Sequence, residues 1–163
     1  MKKLNPPWMF FLIGLFCCST VIYAEHADID LRVRSPRDEV RSTADEDPPA
    51  GGIKPRPVLA VKAGEPLALQ FLFVNTYPHH DLKDVTIRYY VVRTDKIGQK
   101  TVPPLKEGVV TQGQVVMNFK VRGNTGARFP LRIHQPGIYL VRVESLNTGG
   151  DHEHFSAVDL KVE

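Results

Sequence analysis

Cysteine is nearly absent from this chain of 163 residues, and the two that occur, Cys17 and Cys18, are adjacent near its start. From residue 25 onward there is no disulfide to form, no thiolate nucleophile and no cysteine-based zinc or redox centre. Tryptophan occurs once, as Trp8. No sign of charge dominates either: 21 Lys and Arg face 18 Asp and Glu, interspersed along the chain, so there is no basic face of the kind nucleic acid demands. Apolar residues at helical spacing are missing after the first 24 residues, which removes any phosphate-binding loop that must open a helix. Ser35, Ser42, Ser145 and Ser156 stand in no Gly-x-Ser-x-Gly turn. The carboxylates Asp45 and Asp47 lie in a Pro/Gly-rich stretch where nothing would shift their pKa. Catalysis is therefore not expected, and the length leaves room for one core but not for a (β/α)₈ barrel of roughly 250 residues.

What is present begins with an address. Lys2 and Lys3 precede an uncharged run from Trp8 to Ala24 that closes on Val21-Ile22-Tyr23-Ala24. This predicts a secretory signal peptide over 1–24, cleaved after Ala24, and a periplasmic or extracellular protein. The run is short for a bilayer span of about 20 residues, so an uncleaved N-terminal anchor is the alternative. A looser one is lipid attachment at Leu15-Phe16-Cys17-Cys18. A membrane enters as a partner only through one of those two routes.

The remainder reads as strands. Ile29, Leu31 and Val33 alternate with Asp30, Arg32 and Arg34, which predicts a half-buried strand within an N-terminal segment 25–34. From Ser35 to Pro57 five prolines, Gly51-Gly52 and Asp45-Glu46-Asp47 replace the alternation, so 35–56 is expected to be a flexible segment. Alternation returns over 57–163, punctuated by turn residues. Strands are expected at Val58–Lys62, Leu67–Asn75, Val85–Arg93, Gln114–Val121, Arg128–His134, Ile138–Glu144 and Phe155–Val162. Leu67–Asn75 is apolar on one face and barely polar on the other, as suits the middle of a sheet. Pro130 suggests an edge. In the pair Tyr89-Tyr90 one ring is expected in the core and the other exposed. Seven or eight strands predict an all-β antiparallel sandwich, because two sheets must cover each other's apolar faces.

Two stretches carry a resemblance. Arg128-Phe129-Pro130-Leu131-Arg132-Ile133, followed by His134-Gln135-Pro136-Gly137-Ile138-Tyr139 and its strand, resembles the E strand, EF turn and F strand of immunoglobulin-like and fibronectin type III sandwiches. Ala63-Gly64-Glu65-Pro66 before a strand ending in Asn75 resembles the AB turn and B strand of bacterial immunoglobulin-like modules. The paired cysteines and core tryptophan of antibody domains are absent. The resemblance implies that His79-His80-Asp81 lies in the B–C loop and Asp151-His152-Glu153-His154 in the F–G loop, at one end of the sandwich, with Gly123-Asn124-Thr125-Gly126 rimming that end. Imidazoles and carboxylates suit Zn²⁺ or Cu²⁺. His79, His80, Asp151, His152 and His154 are therefore candidate ligands, while the phase that His154 shares with Val158, Leu160 and Val162 offers a plainer role, capping the core. The leading expectation is an exported, non-catalytic module that binds another macromolecule, a protein, without a cofactor. A small metal-binding protein is the alternative.

Overall fold

The structure, a computed structural model, describes residues 27–43, 45–47, 55–99, 101–103, 105–106, 108–149 and 153–163. The signal peptide expected over 1–24 and its alternatives lie outside these residues. Among the described residues no helix is long and apolar enough to cross a membrane. The described residues form ten strands: β1 (Ala27–Arg34), β2 (Glu39–Ser42), β3 (Asp45–Asp47), β4 (Val58–Val61), β5 (Leu67–Asn75), β6 (Leu82–Thr94), β7 (Val109–Phe119), β8 (Asn124–Leu131), β9 (Gly137–Leu146) and β10 (Glu153–Val162). The fold is all-β, as the alternation predicts.

The strands form two sheets. One runs β2-β1-β5-β8, and the other β3-β10-β9-β6-β7, with β4 pairing β10 as its sixth strand. All neighbours are antiparallel except β4 and β10, which run parallel from Val58↔Asp159 to Val61↔Val162. Period-2 alternation sends Ile29, Leu31 and Val33 of β1 and Leu67, Leu69, Phe71 and Phe73 of β5 to the same side as one another. Opposite them stand Val85, Ile87 and Val91 of β6, Val141 and Val143 of β9, and Val158, Leu160 and Val162 of β10. All are buried. Burial of each such side chain contributes about 1.5–3 kcal/mol, which is what holds two sheets together without a disulfide. The Phe73 and Phe119 rings meet across the sheets at 4.7 Å between centroids.

Several boundaries differ from those read in the sequence. The segment 35–56, expected to be flexible throughout, supplies β2 and β3. Both are edge strands of three or four residues, and their pairing with β1 and β10 is made by backbone, so no apolar alternation announces it. The strand expected from Gln114 starts at Val109, and Val121 falls in the turn after it. Asn124, Thr125 and Gly126, expected as loop, open β8 by pairing with Val74, Phe73 and Leu72. Tyr90, one of the pair of which one ring was expected to be exposed, is buried on the outer face of the six-stranded sheet. Val92, Leu140 and Ala157 surround it there, and Leu105 of the 95–108 connection packs on them. Tyr89 points inward and is only partly buried. Pro130 does lie on an edge strand, and β5 does lie inside its sheet.

Candidate binding edge and its surroundings

The loop end of the sandwich is built around Asn75, the buried last residue of β5. Its Nδ2 donates to the carbonyls of His80 at 2.9 Å and Lys120 at 3.0 Å, and its Oδ1 accepts from the Tyr77 amide at 3.0 Å. One side chain thus ties the 76–81 loop to the turn between β7 and β8. Asp81 adds a second tie, accepting from Lys120 Nζ at 2.7 Å and the Val121 amide at 3.0 Å. The Lys120 ammonium holds the Asp81 carboxyl below its ordinary range.

The strand registers bring the starts of β6 and β10 and the end of β9 to this same end. His79 and His80 are exposed in the loop, with the His80 ring edge-on to Tyr77. His154 is 1% exposed and shares the inward phase of Val158 and Leu160, the core-capping position. Asp151 and His152 lie outside the described residues. Among the described residues no three His, Cys, Asp or Glu side chains converge as a metal site would require.

Sequence reasoning missed a charged cluster on the outer face of the six-stranded sheet. β6 and β9 pair Arg88 with Glu144 and Tyr90 with Arg142, and β10 sets Phe155 beside Glu144. The Glu144 carboxylate is buried and accepts from Arg88 on one oxygen and from Arg142 Nε at 2.7 Å and Tyr90 Oη at 3.3 Å on the other. The Arg142 guanidinium lies 3.9 Å above the Phe155 ring, an arrangement that satisfies a nearly buried cation by electrostatic attraction to the ring face. Burial, chiefly, raises the Tyr90 hydroxyl pKa. Toward the opposite end Asp159, fully buried, takes Arg56 and the Gly98 amide, and Arg56 also donates to the Gln99 carbonyl at 2.7 Å. These contacts pin the connection between β6 and β7 across the outer face. The alternation Arg142-Val143-Glu144 signalled charges facing away from the core, but only strand pairing shows that they meet.

The cluster opens on one side into a groove of about 370 Å³ lined by Arg88, Leu105, Gln112, Gly113 and Gln114. Its far wall is β7, the last strand of the sheet. Among the described residues no strand pairs with the outer side of β7. Its eleven residues, Val-Val-Thr-Gln-Gly-Gln-Val-Val-Met-Asn-Phe, carry no charge and no proline. Val110, Val115 and Val116 are 40%, 44% and 57% exposed. Soluble proteins ordinarily protect such an edge with charge, proline or brevity, because a row of free N–H and C=O groups accepts another strand. The other edges show those devices: β2 has four residues with Glu39 and Arg41, β3 has three, and β8 carries Arg128 and Pro130. Gly113 is required where it stands, since a Cβ there would lie 2.6 Å from the Tyr89 ring. That ring packs on Phe129 at 4.6 Å and closes the gap between the two sheets along the β7–β8 side.

No protein-family model matches the sequence, and no curated protein matches it. Solved structures are similar to it at low identity and with TM-scores under 0.5. The soluble domain of PmoD from Methylocystis sp. ATCC 49242 (Rockwell) is 13% identical, with 83% of this chain and 90% of that one covered and a TM-score of 0.45. The C-terminal domain of Wzt is 12% identical, with 85% and 74% covered and a TM-score of 0.45. A third, the Pseudomonas fluorescens alkylpurine DNA glycosylase AlkC bound to DNA containing an abasic site analog, is 12% identical, with 74% and 30% covered and a TM-score of 0.39.

Proposed function

We propose that this chain is an exported, non-catalytic binding module of immunoglobulin-like architecture that recognises another protein by adding a strand to β7. The architectural part is supported by the pairing. β10-β9-β6-β7 corresponds to the order G-F-C-C′ and β1-β5-β8 to A-B-E, while β4 runs beside β10 as a split first strand would. Tyr139, near the start of β9, donates its hydroxyl to the Gln135 carbonyl at 2.9 Å, the backward bond of a tyrosine corner. Export is supported by the charged, then apolar, then Ala-terminated opening residues.

The observation that carries the binding role is the unprotected edge: eleven uncharged residues, three exposed valines and a groove alongside. Strand addition draws affinity from main-chain hydrogen bonds and specificity from pockets beside the edge. A photo-activatable side chain at Val116, in the full chain in its own cell, is expected to give an adduct of discrete mass. Gln112→Lys with Gln114→Lys should abolish that adduct, and the same probe at Val58, also exposed but on β4, should give none. Equal labelling from both positions, or none from Val116, overturns the reading.

A further inference from the structure

We infer that the occupant of the β7 edge is a second copy of this chain, paired antiparallel with it about a two-fold axis through Gly113. The inference rests on reading β7 as a strand-accepting edge, and the strand's own sequence names the partner. An isologous interface must be self-complementary, because residue i meets j and j meets i. With Gly113 opposite Gly113, the stretch Val110-Thr111-Gln112-Gly113-Gln114-Val115-Val116 places Gln112 against Gln114, Thr111 against Val115 and Val110 against Val116, each pair occurring twice.

Every one of those pairs is compatible. Gln112 and Gln114 stand on the outer face opposite Tyr90 and Arg88, and two primary amides satisfy each other as donor and acceptor. Val110 and Val116, at 40% and 57% exposure, cover each other's apolar surface, and Thr against Val is a good cross-strand pair of β-branched residues. Charge is the usual obstacle to pairing a strand with its own copy, since like charges then face each other across the axis. β7 has none.

Geometry agrees. The β6–β7 register runs without a shift from Val85↔Met117 to Val91↔Thr111, so the strand is regular from Thr111 to Met117 on both sides of the axis, and the irregularity that leaves Val110 without a β6 partner falls at the end of the paired stretch. At the axis itself the residue is Gly113, kept free of a side chain by the Tyr89 ring, where antiparallel backbones approach to about 4.5–5.5 Å between Cα atoms. Among the described residues no other long edge would serve: Pro130 removes a donor from β8, and its Arg128 carries a charge. The six-stranded sheet of each copy would continue into that of the other.

The test uses the protein purified from its own cell as it is processed there. Sedimentation equilibrium between about 1 and 200 μM is expected to show a monomer–dimer equilibrium. Gln112→Lys with Gln114→Lys, and separately Gln112→Glu with Gln114→Glu, surround the axis with four like charges. Each double variant should weaken the dimer by about 100-fold or more, and a 1:1 mixture of the two should associate again. Both substituted positions, Gln112 and Gln114, are exposed, and thermal melting of each variant within a few degrees of the parent shows that it is folded. Either a parent that stays monomeric throughout, a lysine variant as dimeric as the parent, or a mixture that fails to associate overturns the second-copy proposal. A monomeric parent whose Val116 probe yields an adduct of a mass other than twice the monomer removes the second copy and keeps the edge. A monomer with no adduct at all removes both.

Discussion

β5 and β7 are the two long strands among the described residues that contain no charged residue, and they have opposite fates. β5 is flanked by β1 and β8 and spends both rows of backbone groups on them, while its alternate side chains Leu67, Leu69, Phe71 and Phe73 fill the core. Among the described residues β7 pairs only with β6. Its inward residues Met117 and Phe119 reach the core, but Val115 and Val116 stand at the rim. On the core-facing side of a central strand neutrality is a packing requirement, since an unpaired charge there would be buried, while the outward sides of the central strands β1, β6 and β9 do carry charge. On an edge it has no such cause, because neighbouring edges carry arginine, glutamate or proline at no cost to their pairing. The same composition therefore serves packing in one place and, on the function proposed above, recognition in the other.

The sharpest way to break this comparison is to cut the core side of each strand. Phe73→Ala in β5 removes a fully buried ring that packs on Phe119, and urea unfolding should show a loss of about 3–5 kcal/mol. A loss under 1 kcal/mol would mean that the four-stranded sheet is not held as described. The next effect falls on the outer face behind β7. Glu144→Gln leaves Arg142 buried without its carboxylate, which should cost about 3 kcal/mol in the same assay, while Gln114→Ala at the exposed groove wall costs under 0.5 kcal/mol. Equal costs would show the groove to be part of the core.

Acid sharpens the comparison on β1, the neighbour of β5 on the β2 side. Burial raises the Asp30 pKa, but hydrogen bonds from Arg32 and Arg41 outweigh it and hold it below its ordinary 3.8. A depressed carboxylate stabilises the fold at any pH above its unfolded value and loses that contribution as pH falls through its folded value. The melting temperature should stay level from pH 7 to about 5 and decline below about pH 4. Asp30→Asn should flatten that decline, and an unchanged acid limb would remove Asp30 from it. The smallest effect is the most telling: Val116→Lys should alter stability by under about 0.5 kcal/mol while abolishing association. A large loss of stability there would make β7 a packing strand like β5.

Much of this was legible in the chain. Ile29-Leu31-Val33 and Leu67-Leu69-Phe71-Phe73 announce inward faces because a buried face must be apolar at every second residue, and the structure buries all seven. Pro130 announces an edge, and β8 is one. The candidate site was less legible. His79 and His80 attracted notice as chemistry-bearing residues, yet they stand exposed in a loop whose shape is set by Asn75, a residue with no distinguishing pattern. Arg88, Arg142 and Glu144 are 56 positions apart at their widest, and nothing local tells one strand's arginine that another strand's glutamate will face it.

The sequence by itself determined that the protein is all-β, which side of each main strand faces inward, and that thiol chemistry is excluded beyond the first residues. Those properties follow from alternation and composition, which are local. The order of the strands was decided only in three dimensions, by which apolar faces could cover one another. That order made β5 central and β7 an edge, gathered Arg88, Arg142 and Glu144 into one buried network, and turned an unremarkable neutral stretch into the surface on which the proposed function rests.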